Sequence, residues 1–150
     1  MNLPQLLEFK RNDLINEALG ILNQARLSHY DEAGYSQRRL YLIRLYDLMT
    51  QCIEQNDMIP MLNYIKTLAE ERFTTGFDLS EVQMAFNVLE EVIWKHILSD
   101  LPAEKYPEAL GMISTVLGTG KDYLANMYVS MASQHKATSM DLSALYQKAR

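Results

Sequence analysis

Cysteine, proline, glycine and basic residues are all scarce in this chain, and each shortage removes a class of structure or partner. The single cysteine, Cys52, rules out an internal disulfide, so a reducing compartment is its expected home. Only 6 glycines and 4 prolines interrupt 150 residues. A sandwich of short strands would need a turn about every ten residues, so long helices are favoured instead. Lys and Arg total 14 against 19 Asp and Glu, a net charge of −5. A nucleic-acid partner would call for a basic face, and the densest basic cluster is only Arg38, Arg39 and Arg44, which reads as a solvated helix face. No apolar run approaches the roughly 20 residues that span a bilayer, so no membrane partner is expected. The N-terminus meets charge at Glu8, Lys10 and Arg11 before any signal-like apolar stretch, and a cytoplasmic location is expected.

What is present is a globular composition, 48% hydrophobic and 22% charged, at a length that suits one domain over residues 1–150. The periodicity predicts an all-α bundle of five to six helices; many-helix domains of this size include globins, so a globin-like arrangement is one form it could take. The first helix is expected from Pro4 to Arg26, the segment from His29 to Tyr35 as a loop, and the second helix from Ser36, as its cap, to Glu54. A third helix, capped by Asn56 or Asp57 and carrying Pro60 in its first turn, should reach Thr74. A fourth runs to about Leu98, and a fifth starts between Pro102 and Pro107. Along the fifth, Tyr106, Leu110, Ile113, Leu117, Gly120, Leu124, Met127 and Met131 form a continuous seam that ends near Gln134. Gly120 in that seam points to close approach by another helix, which should offset a cost of about 1 kcal/mol for a mid-helix glycine. A short last helix is expected over Asp141–Lys148, capped from Thr138 or Ser139.

The junction before the fourth helix carries the sharpest local signal. Gly76 supplies a helix stop. Asp78 and Glu81 have the spacing of a capping box, and Phe77 and Val82 that of a hydrophobic staple.

No pattern of reactive residues emerges, and the chain is not expected to be an enzyme. His29, His96 and His135 are far apart and lack the spacing of metal-binding helices, so no metal site is expected. Gly118-Thr119-Gly120-Lys121 lacks the earlier glycine and the following hydroxyl of a phosphate loop, with Thr115 and Asp122 in those places. Glu70-Glu71 and Glu90-Glu91 are adjacent pairs whose members diverge by about 100° on a helix, and Lys95 is a surface partner for the second pair. Cys52 has no neighbouring base and reads as an inert buried thiol. His96 falls within the apolar sector of the fourth helix, beside Leu89 and Ile93. Its ordinary reading is a core histidine bonded to a neighbour. The alternative is a haem or small-ligand site of globin type with His96 as ligand.

The fourth helix has apolar residues where polar ones belong. Met84, Trp94 and Leu98 share a sector with Gln83, Asn87, Glu90, Glu91 and Lys95. Such residues mark either an interface or a face covered by another helix of the same chain, and Met84, Trp94 and Leu98 are the candidate interface.

The stretch from Leu68 to Trp94, with Arg72, Gly76, Asp78 and a following apolar helix in that order, resembles the helical N-terminal domain of RsbR-type regulators, the RsbT co-antagonists of bacterial stress signalling. The likeness is strongest over residues 64–98. It implies a sensory or protein-interaction input module, commonly a homodimer, that acts on a signalling partner or a downstream output domain; with no reactive residues in view, no resident cofactor is expected. No output module follows within the 150 residues, so the expectation is either the input part of a longer protein or a free-standing form.

Overall fold

The computed structural model of the chain describes residues 1–24 and 34–148, and the side chains of these except at 35 and 137–148. Among the described residues it is an all-α bundle of six α-helices: α1 (Leu3–Phe9), α2 (Arg11–Gln24), α3 (Tyr35–Gln55), α4 (Ile59–Thr74), α5 (Leu79–Asp100) and α6 (Tyr106–Lys148). A 3₁₀ turn, Ala103–Lys105, leads into α6. The loop expected from His29 lies largely outside the described residues.

The single first helix expected from the sequence is two. Lys10, with φ −101° and ψ 14°, separates α1 from α2. The reason is visible in what each piece buries. α1 buries Leu3, Leu6 and Leu7, whereas α2 buries Leu14, Ile15, Ala18, Leu19 and Leu22. On one straight helix these two stripes would point about 100° apart, so a break lets both face the core. Asn2 starts α1 with a capping box, its side chain accepting from the Gln5 N–H and its own N–H donating to the Gln5 side chain, both at 2.9 Å.

The cap of α3 is Gly34 with φ +84°, not Ser36, and no side chain closes it. Asn56 ends α3 in the left-handed conformation, which asparagine tolerates, and so serves as a stop instead of the next helix's cap. Met58 takes the cap position of α4, while the Asp57 carboxylate accepts the Ile59 N–H at 3.0 Å. At the start of α5 the expectation holds: Asp78 is the cap, and Glu81 reaches back to accept the Asp78 N–H at 3.2 Å.

Helix α5 is central and contributes nine buried residues, among them Val82, Phe86, Leu89, Ile93 and Ile97. α2 packs on one side of it and α6 on another, with α4 against α6 and α3 between α2 and α4. Gly120 is where α6 meets α4 and α5: a methyl group there would lie 3.0 Å from Ile65 Cδ1 and 3.1 Å from Phe86 Cε1. Two buried tyrosines tie α3 in place, Tyr41 donating to the Val82 carbonyl at 2.9 Å and Tyr46 to the Leu7 carbonyl at 2.6 Å.

The separate last helix is also corrected. α6 is one unbroken helix of 43 residues, about 65 Å long. Beyond Gly120 the chain has neither Gly nor Pro, and single Ser or Thr residues cost a helix only about 0.5 kcal/mol each. Residues 132–136 are all exposed, so the helix has left the body by that point.

Candidate interaction face

The outer stripe of α5 separates the three candidate interface residues. Trp94 is 39% exposed and Leu98 52%. Met84, in contrast, is half-buried and packs against the core, so for this residue the covering element is the chain itself. The exposed part of the candidate interface is therefore the second half of α5.

That half is set beside α6 in antiparallel register. The Tyr106 hydroxyl donates to the Leu98 carbonyl at 2.7 Å, the Ser114 hydroxyl to Glu90 at 3.4 Å, and Lys121 Nζ to Asn87 Oδ1 at 2.9 Å. These rungs place Trp94 level with Leu110 and Gly111. On α6 the positions Gly111 and Gly118 have nothing within 4 Å of where a Cβ would stand. Further along the same face Val129 is 62% exposed. The result is a pair of large apolar side chains on one helix next to two open, side-chain-free positions on its neighbour. The glycines on α6 therefore do two different things: Gly120 admits two helices of this chain, while Gly111 and Gly118 face outward. The sequence signalled the first through its place in the apolar seam. The second was legible only from which side of α6 is covered.

His96 is the bonded side chain of its ordinary reading. Its Nε2 lies 2.7 Å from Glu17 Oε2, and its Nδ1 lies 3.5 Å from Asp100 Oδ2. A haem ligand needs one of these nitrogens turned toward room for a macrocycle, whereas here both face carboxylates. The carboxylates have partners of their own. Lys95 Nζ pairs with Glu17, and Lys10 Nζ with Asp100 at 2.7 Å. Lys95 thus pairs with Glu17 of α2 and not with the Glu90-Glu91 pair expected to hold it. The Lys95 ammonium first, then His96, holds the Glu17 carboxyl below its ordinary range, and Lys10 does the same for Asp100. The five side chains clamp the α1–α2 break and α2 to the end of α5.

The remaining candidates have structural work. Arg72 is buried at 8% exposure, its guanidinium 4.8 Å from the centre of the Phe77 ring and 5.7 Å from that of Tyr41, with Glu71 at 3.4 Å. Gly76 has φ +86°, and the Tyr128 hydroxyl closes the turn from α6 by donating to the Phe77 carbonyl at 3.0 Å. Arg72, Gly76, Asp78 and Glu81 therefore together build the α4–α5 corner. Arg38 and Arg39 bridge to Asn23 and Asn16 of α2, so only Arg44 of the basic cluster keeps the solvated role expected for all three. Burial pushes the Cys52 thiol up, away from a reactive thiolate. Among the described residues no three His, Cys, Asp or Glu side chains are grouped to hold a metal ion. Among them, too, no helix is long and apolar enough to cross a membrane. His135 is exposed on the α6 extension, and His29 lies outside the described residues. No family model, curated protein or solved structure matches the chain.

Proposed function

We propose that this chain is a non-catalytic regulatory input module that forms a homodimer through the α5–α6 face and transmits its state along α6. The observation that carries the reading is the pairing of Trp94 and Leu98 with the outward Gly111 and Gly118 on a single face. Such a face offers both protruding and open positions, so a two-fold arrangement can seat Trp94 and Leu98 of each copy against the two glycines of the other. Two helices lying side by side over about 30 Å present an area near the roughly 800 Å² per partner of a standard interface. The departure of α6 from the body supports the transmitting role, since a helix continuous with the core carries any shift of the α5–α6 pair outward. Bacterial stress signalling in the cytoplasm, with a signalling protein or output domain as recipient, is the setting that the RsbR-type resemblance suggests.

Light scattering coupled to size exclusion tests the dimer. The expected result is twice the chain mass at tens of micromolar, falling to the chain mass on Leu98→Asp with an unchanged far-UV CD spectrum. A wild-type chain that stays monomeric at high concentration would remove the proposal. The emission of Trp94, the only tryptophan, should shift to the blue on association.

A further inference from the structure

On the side of the bundle formed by α3 and α4, away from Trp94, a second surface has the features of a binding groove. Because only residues 56–58 separate α3 from α4, the two form a helical hairpin, and its outer surface holds an open groove of about 570 Å³. Its apolar wall comes from Leu40, Ile43 and Leu48 on α3 and Tyr64 on α4, with Leu40 57% exposed. Leu40 to Leu48 is two turns, about 12 Å, the span over which a docked helix offers anchors at i, i+4 and i+7.

The charges in this groove do not cancel. Asp47 lines it, but Arg11 holds that carboxylate in a two-pronged pair at 2.8 and 2.9 Å. Glu71, whose charge reaches Tyr64, pairs with Arg72 at 3.4 Å. Arg44 lies in the groove close enough to Tyr64 for its charge to act on the phenol, and among the described residues neither side chain makes a hydrogen bond or ion pair. The remaining lining residues, Gln51 and Asn63, are neutral. The groove is thus a locally positive, apolar track on a chain whose net charge is −5.

We infer that the α3–α4 groove docks an acidic amphipathic helix of a partner protein. Its apolar face lies along Leu40, Ile43, Leu48 and Tyr64, and a carboxylate pairs with the Arg44 guanidinium while accepting from the Tyr64 hydroxyl. Charge complementarity selects this occupant over a basic one. The net charge of −5 disfavours an acidic helix over the surface as a whole, so the open charge of Arg44 helps direct binding to the groove. This inference is independent of the dimer, whose face lies on α5 and α6.

The test uses two fluorescein-labelled 16-residue amphipathic peptides, alike in their leucine face, one with Glu and one with Lys on its flanks. Anisotropy of each is followed as the full chain is added. Net charge alone would favour the Lys peptide, whereas the groove predicts the opposite order. The expected result is saturable binding of the Glu peptide, about tenfold or more tighter than the Lys peptide, as one charge-assisted hydrogen bond would supply. Arg44→Glu should weaken the Glu peptide by about tenfold or more and reverse the preference, and Leu40→Ser should weaken both peptides. Leu98→Asp should leave binding unchanged. Far-UV CD of each variant confirms folding; Arg44 is exposed and Leu40 lies at the surface, so both substitutions spare the core. Tighter binding of the Lys peptide, no saturable binding of the Glu peptide at millimolar protein, or indifference to Arg44→Glu in a folded variant would each overturn the inference.

Discussion

Individual side chains in this protein are chosen more by what they touch than by their type, and glycine makes the case. Gly20 stands in α2 with nothing within 4 Å of a would-be Cβ, whereas at Gly120 that atom would press on Ile65 and Phe86 at 3.0 and 3.1 Å. Both are helical, so alanine brings both the same gain in helix propensity. Gly20→Ala should therefore raise unfolding free energy by about 0.5–1 kcal/mol. Gly120→Ala should lower it by about 1–2 kcal/mol, because displacing side chains in a packed core costs more than the propensity returns. Urea titration of the two variants beside the parent checks this, and equal shifts of one sign would show that α6 does not approach α4 and α5 as described. His96 teaches the same lesson. Its place in the apolar sector was readable from spacing, but its partners Glu17 and Asp100 come from a helix 79 residues away and from one turn along its own. Spacing within one helix cannot show a partner on another.

At the scale of elements, the joints are where charge and capping are concentrated. The clamp of Glu17, Lys95, His96, Asp100 and Lys10 joins the α1–α2 break to the end of α5. Glu17 and Asp100 titrate below their ordinary values in the fold, so each stabilises it fully above the unfolded pKa of about 4. That contribution is lost as pH falls through the lowered folded values. Denaturant unfolding measured from pH 6 down to pH 3 should show this decline, and Glu17→Gln should flatten it in part, leaving the share due to Asp100. A decline of unchanged slope in the variant would show that the clamp carries no such linkage. The helix starts at Asp78 and the stop at Gly76 were legible because their signals are local. The break at Lys10 was not, since nothing near it is a helix breaker; only the need to turn two apolar stripes toward one core produces it.

For the molecule as a whole, α6 divides into a part that belongs to the core and a part that does not. Buried residues run along it to Tyr128, with Met131 still packed against the core, and residues 132–136 are exposed. Ala132→Glu and Ser133→Lys should therefore leave the melting temperature unchanged, as read by thermal CD. A large fall in Tm would mean that the extension packs on the body. In the dimer proposed above, that extension is the element through which a rearrangement at Trp94 and Gly118 would reach a partner, and the α3–α4 groove offers a second point of contact on another side of the same body.

Composition and periodicity were sufficient for an all-α bundle and for the α4–α5 corner, because helix formation, capping and the avoidance of strands depend on neighbours a few residues apart. They also singled out Trp94 and Leu98 as apolar residues on a polar sector. Which of the candidates stays exposed, which basic residue keeps its charge open, and which glycines face outward were decided by the packing of α2, α4 and α6 around α5. Those outcomes depend on contacts between residues distant in the chain, and a linear pattern holds no record of which faces the fold will cover.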